Sequence, residues 1–375
     1  MADDPEPTPG ASARRFFAAV PLLRAVGIAS SPKNLIIAAV GLLAMWAGWS
    51  ALDRVFDVNG PDLARFSARS TGRVLDNLSA AGLSRAAGLM TFPARMVVEP
   101  FASVFRRQVG PEPWAWFVLR GLWALVVWAL AGGAIARIAV VRAAGEPGIG
   151  LVSAVRFALR RSIALIAAPL TPLLVVAFFG VGCAAFGLLY RLPGTIGPIV
   201  ATILGFLPMI AGLVMALILL GLALGWPLMI VTVAAEGEDA PDALSRSYSY
   251  VNQRLPRYLV HLAIAWAIGA VGLIVAILFS EAVLGLAGWG VGLGAPDDPN
   301  SLGRIEESRA VWIGLVDWLV HAWIYSYFWS SASILYLILR RDVDGTDWHD
   351  IYQPRHDADA FAPAPEPKAA GPEVG

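Results

Sequence analysis

The chain has 375 residues, of which 57% are hydrophobic and 15% charged, with a mean hydropathy of +0.65. That is too apolar for an ordinary soluble domain and long enough for several membrane spans. Its 28 basic and 28 acidic side chains cancel, which leaves no global positive field for nucleic acid, and its single cysteine, Cys183, excludes an intrachain disulfide framework and a multi-cysteine zinc site.

Residues 1–12, MADDPEPTPGAS, are acidic and proline-rich and carry no stripe to bury, so they are expected to be disordered. The stretch 14–28 mixes Phe16, Phe17, Val20, Leu22 and Leu23 with Arg14, Arg15 and Arg24, which suits a helix lying on the cytoplasmic membrane surface. Arg24 interrupts the apolar run that a twin-arginine export signal would need. The first span is expected over 34–52, with Trp46 and Trp49 toward its far end. Segment 53–113 differs in kind: Arg65, Arg69, Arg73 and Arg85 alternate with Leu63, Phe66, Leu75, Leu78 and Leu83, and no run reaches spanning length. It reads as an outer segment of helices packed on the membrane or on the spans, broken at Pro93 and Pro100.

A second span is expected over 114–138, with Trp114 and Trp116 at one interface and Arg120 near enough to snorkel. Arg137, Arg142, Arg156, Arg160 and Arg161 then gather against one acid, Glu146, which marks a cytoplasmic loop. An amphipathic helix at 151–161 leads into a third span, 162–190, that contains Pro169 and Pro172. The apolar run 194–235 exceeds one crossing and is expected to break near Pro208 or the Gly225-Trp226-Pro227 triplet, leaving a fourth span near 209–234. Spans five and six follow at 258–286 and 310–339, and a tail from Asp342 is expected to be disordered. The predicted class is therefore an all-α polytopic membrane protein of about six spans: an N-terminal tail and interfacial helix over 1–33, a transmembrane domain over 34–341, and a cytoplasmic tail over 342–375. Both termini fall inside the cell in this topology, in a plasma (inner) membrane, because the arginine clusters and the Arg340-Arg341 pair lie on one side.

The polar interval between spans four and five is the hub of this arrangement. Leu244, Tyr248, Val251 and Leu255 recur at helical spacing, while Arg246, Ser249 and Gln253 fall opposite. Asp239, Pro241 and Asp242 suit a helix start, and Pro256 suits its end. Such a helix would lie in the membrane interface, with Tyr248 at headgroup level and Arg246, Arg254 and Arg257 facing phosphates. The stretch from Trp226 to Leu259, WPLMIVTVAAEGEDAPDALSRSYSYVNQRLPRYL, resembles a segment of uncharacterised bacterial multi-pass membrane proteins. Those are loosely similar to the membrane domain that accompanies some glycerophosphodiester phosphodiesterases. The resemblance spreads over 151–341 and implies a membrane domain without the phosphodiesterase catalytic domain. Segments 151–190 and 243–286 also share a plan of surface helix, span and return span, which is compatible with duplication.

Chemistry-bearing groups are few. Glu281 lies near the outer end of span five, and Asp317 and His321, one turn apart, near the outer end of span six. Ionisable groups within spans are candidate ion, proton or substrate ligands, although at an outer interface water would stabilise them. Tyr325, Ser326, Tyr327, Ser330, Ser331 and Ser333 line either a polar cavity or a hydrogen-bonded helix interface. His261 reads as an interface residue, and His349 and His356 belong to the tail. No phosphate-binding loop, nucleophile elbow, zinc helix or dinucleotide fingerprint occurs, so no cofactor and no enzyme activity are expected. The expected role is a membrane scaffold or lipid-organising or lipid-sensing protein whose partners are membrane lipids and possibly another membrane protein. The alternative is a small-molecule or lipid transporter built on Glu281, Asp317 and His321.

Overall fold

The computed structural model describes residues 20–58, 79–105, 111–294 and 299–352. In chain order the helices are α1 (Val20–Ala29), α2 (Pro32–Val55), α3 (Ala80–Met90), α4 (Phe92–Val104), α5 (Pro111–Ala143) and α6 (Leu151–Arg160). They continue with α7 (Ser162–Gly187), α8 (Ile196–Ile203), α9 (Phe206–Glu236), α10 (Ala240–Gln253), α11 (Leu255–Gly294) and α12 (Pro299–Asp344). Six of them, α2, α5, α7, α9, α11 and α12, are long and apolar enough to cross a membrane, and each covers the stretch expected from the sequence, except that α7 gives way to a 3-10 turn over the last three residues of its stretch. At about 1.5 Å per residue the 40 residues of α11 and the 46 of α12 reach about 60 and 69 Å. That is roughly twice a ~30 Å hydrocarbon layer, so both helices tilt or project beyond it.

The packing is inside out relative to a soluble protein. α12 is the least apolar of the six spans, yet its second half is buried on all sides, whereas the far more apolar α7 and the first two thirds of α9 bury few residues. Between helices in lipid there is no hydrophobic gradient to exploit, so small and hydroxyl-bearing residues that pack closely and hydrogen-bond take the centre. Ser326 Oγ donates to Ala29 O at 2.8 Å and Tyr327 OH to Ala265 O at 2.6 Å. Tyr325 stacks on Trp128 of α5 with ring centroids 4.1 Å apart. Close approach also needs a glycine: a Cβ on Gly132 would stand 2.2 Å from the Trp329 indole. The hydroxyl-rich face of α12 is thus mainly a helix interface. Tyr325 OH and Ser330 Oγ are its buried members without a hydrogen-bond partner among the described residues.

Several expectations need correction. α1 does not lie on the surface: Leu22, Ala25 and Ala29 are fully buried against the core, and α1 packs along α12. Of the large residues in that stretch Val20 and Leu23 face outward, while Leu22 and Ile28 join the small alanines in the contact. Phe16, Phe17, Arg14 and Arg15 lie outside the described residues, as do Arg65, Arg69 and Arg73. Of segment 53–113, α3 and α4 dock on the spans: Trp266 Nε1 donates to Ala87 O at 3.0 Å, and Phe101 packs on Gly121. Pro93 starts α4, but Pro100 sits inside it. The long run 194–235 resolves into the short α8, a turn at Leu204 and Gly205, and one continuous α9. α9 continues through Pro227, and neighbouring Trp226 is buried against the rings of Phe328 and Trp329. Finally, the tail is ordered at its start. α12 continues to Asp344, and 345–352 fold back as a strap, with Tyr352 N donating to Ala235 O at 2.8 Å.

Candidate functional site

Two regions could meet a ligand, and each draws on several helices. The first is an apolar crevice of about 540 Å³ between α4, α5, α7 and α9. α4 contributes Val98 and Phe101, α5 Leu125, α7 Leu173 and α9 Leu220, Ala223 and Trp226, with no polar side chain among the lining residues beyond the Trp226 indole. Val98, Phe105 and Leu220 are exposed, so the crevice opens sideways among the spans. Its volume falls within the roughly 300–1,000 Å³ of ligand sites.

The second region is a charged collar at the end of the bundle where α9, α10 and α12 meet. Arg340 Nε pairs with Glu236 at 2.8 Å, and Tyr336 OH donates to the same carboxylate at 3.1 Å. Arg246 pairs with Glu238, Arg257 with Asp342 at 2.9 Å, and Arg161 with Asp239 at 3.6 Å. Tyr250 OH donates to Asp344. Burial pushes the Tyr250 phenol up, and this hydrogen bond, which favours the neutral form, pushes it further. Arg137, buried in α5, donates to Ala234 O at 2.9 Å and to Tyr352 O, with its guanidinium over Phe157 and Tyr352. The collar therefore ties α5, α6, α9, α10, α12 and the strap together.

Of the residues expected on a lipid-facing interfacial helix, three are claimed by protein. Arg246 and Arg257 hold ion pairs, and Tyr248 OH donates to Ile218 O at 3.0 Å, its ring resting on Gly221. Burial pushes the Tyr248 phenol up. Arg254 remains exposed. The buried stripe of α10 is Ala243, Ser247, Tyr250 and Val251, rotated from the expected one, because the small residues approach neighbouring helices and Leu244 and Tyr248 sit at the edge. Asp239 occupies the N-cap position and Pro241 the first turn, as anticipated.

Glu281, Asp317 and His321 all lie on the α11–α12 pair. Gly269 faces Tyr327 and Gly272 faces Trp323, and this antiparallel register, extended outward, sets Glu281 level with the turn before Asp317. One carboxylate oxygen each of Glu281 and Asp317, and Nε2 of His321, are withdrawn from solvent, while His321 Nδ1 lies 2.8 Å from Asp317 O. Among the described residues no three His, Cys, Asp or Glu side chains are placed to hold a metal ion together. His261 is buried, with Nδ1 2.8 Å from Arg257 O, which is a local helix contact.

Sequence reasoning missed the crevice, whose walls come from four helices, and it missed a clamp at the opposite end. There Arg120, buried rather than snorkelling, pairs with Asp53 at 2.8 Å, and Trp116 Nε1 donates to the same carboxylate at 3.0 Å. The Arg120 guanidinium lies 4.0 Å from the Trp49 ring centroid and 4.5 Å from that of Trp116. The clustering of tryptophans at both helix ends was the available signal.

Fold and packing together define a polytopic helical membrane protein with six candidate spans. No family model, curated protein or solved structure matches the chain.

Proposed function

We propose that this is a non-catalytic integral membrane protein that binds and organises lipid, with the crevice between α4, α5, α7 and α9 receiving an acyl chain. The observation that carries the reading is the crevice itself: wholly apolar in character, open sideways, and set among helices that are surrounded by lipid when they span. An acyl chain needs no polar partner, and the Trp226 indole is the one polar side chain among the lining residues. The collar end faces the cytoplasm of a bacterial inner membrane, since Arg137, Arg142, Arg156, Arg160, Arg161, Arg340 and Arg341 gather at it. Both termini then lie inside. The chain is a relative of the bacterial multi-pass proteins it resembles, without phosphodiesterase activity.

The test is native mass spectrometry of the protein extracted in a mild detergent, with Ala223→Trp, which fills the crevice, as the comparison. Retained lipid on the wild type and its loss in the variant are expected. A wild type that carries no lipid, or a variant that keeps it, overturns the reading, and a retained protein partner instead would identify a scaffold. A transporter is the second reading, favoured by the solvent-withdrawn polar atoms of Glu281, Asp317 and His321 within the α11–α12 pair.

A further inference from the structure

We infer that the outward face of α6 is a headgroup site for an anionic phospholipid, held by Arg142, Arg156 and Arg160. α6 is fastened by its inner side: Ala154 and Ala158 are buried against the bundle, and Phe157 lies beneath the Arg137 guanidinium. At about 100° per residue its outer side divides into two adjoining edges. One edge is apolar and continues into the first turn of α7, with Val152, Leu159 and Ile163 exposed by 66%, 59% and 83%. The other carries Arg156 and Arg160, both exposed, and Arg142 is exposed in the last turn of α5, the helix on which α6 packs.

What separates these three arginines from the rest of the collar is that no carboxylate claims them. Arg161 takes Asp239, Arg246 takes Glu238, Arg257 takes Asp342 and Arg340 takes Glu236. Arg142, Arg156 and Arg160 form no ion pair among the described residues. Lys33, which could join them, is turned away to Ile149 O at 2.9 Å. Because α6 runs straight into a span through Arg161 and Ser162, its apolar edge sits at the rim of the hydrocarbon and its guanidinium edge at phosphate depth. Guanidinium groups bind phosphate oxygens through paired hydrogen bonds, and unneutralised positive charge at that depth selects lipids with net negative charge over zwitterionic ones.

The site belongs to the lipid-handling role proposed above but uses none of the residues that line the crevice. The experiment is native mass spectrometry of the full chain in detergent with phosphatidylglycerol or phosphatidylcholine added. The wild type is compared with Arg142→Gln/Arg156→Gln/Arg160→Gln, with the corresponding triple lysine variant and with Ala223→Trp. Wild type is expected to prefer phosphatidylglycerol, and each arginine lost to reduce that preference about fivefold, from roughly 1 kcal/mol per charge near an anionic surface. Lysines should preserve it in large part, and so should Ala223→Trp. A glutamine variant that keeps the full preference, or a wild type without any, overturns the inference. An Ala223→Trp variant that keeps all its lipid while the glutamine variant loses selectivity removes the crevice and leaves this site standing.

Discussion

Arg340 meets Glu236 across 104 residues of sequence, its Nε 2.8 Å from one carboxylate oxygen and a second nitrogen 3.3 Å from the other. Both side chains are nearly buried, at 7% and 12% exposure, and they join the ends of α12 and α9. Breaking such a pair from one side leaves a buried charge uncompensated. Glu236→Gln is therefore expected to lower stability by about 3–5 kcal/mol, read as a large fall in the melting temperature of the detergent-solubilised protein. Adding Arg340→Met should recover part of that loss. Equal melting temperatures for wild type and Glu236→Gln would show that the pair holds nothing.

At the opposite end, Asp53 serves two donors, Arg120 and Trp116. Asp53→Asn removes the counter-charge of an arginine that is 3% exposed, and a loss of about 3 kcal/mol is expected. Trp116→Phe keeps an aromatic face for Arg120 but shrinks the buried ring and removes one hydrogen bond, so it should cost about 1–2 kcal/mol. Thermal unfolding of both variants checks the ranking, and the reverse order would contradict it.

Gly132 and Trp329 provide a packing test. A methyl group at Gly132 would meet the indole at 2.2 Å, and Trp329 is buried with no room to yield. Gly132→Ala is expected to destabilise by about 1–3 kcal/mol. Gly180→Ala, where nothing lies within 4 Å, should be neutral or gain up to about 1 kcal/mol from helix propensity. Similar unfolding curves for the two would count against the tight α5–α12 contact.

The strap can be probed at Gly237, whose φ of +66° is left-handed and whose missing Cβ leaves room for the Tyr352 ring 2.7 Å away. Gly237→Ala is expected to cost about 1–2 kcal/mol from the backbone alone, plus the clash. Tyr352→Ala should relieve the clash in the double variant and, by itself, speed proteolytic cleavage within 345–352. Unchanged cleavage would mean that Tyr352 does not hold the strap.

Asp317→Asn distinguishes the two functional readings. Lipid organisation predicts little change in either retained lipid or flux across reconstituted vesicles, whereas transport through the Glu281, Asp317 and His321 group predicts loss of flux.

Much of the architecture is legible in the residues. Apolar runs of about 20 residues or more can satisfy their backbone in lipid only as helices, so the six spans follow from composition and length. The helices at α6 and α10 follow from polar residues interleaved at helical spacing beside a span. Orientation of those helices was less legible. Leu244 and Tyr248 advertise the apolar stripe of α10, yet Ala243 and Ser247 are the more deeply buried. The same inversion hid α1, where Ala25 and Ala29 outrank Val20 and Leu23 in burial.

Sequence by itself determined that this chain is a helical membrane protein, where its spans run, and that polar helices precede the third and fifth of them. Only tertiary structure decided that α12 sits at the centre, that Arg340 finds Glu236 and Arg120 finds Asp53, and that four helices leave a crevice. The physical reason is that spanning depends on the local hydropathy of one segment. Partner choice in lipid depends on small residues, aromatic rings and buried charges meeting from segments far apart, and no local pattern records those meetings.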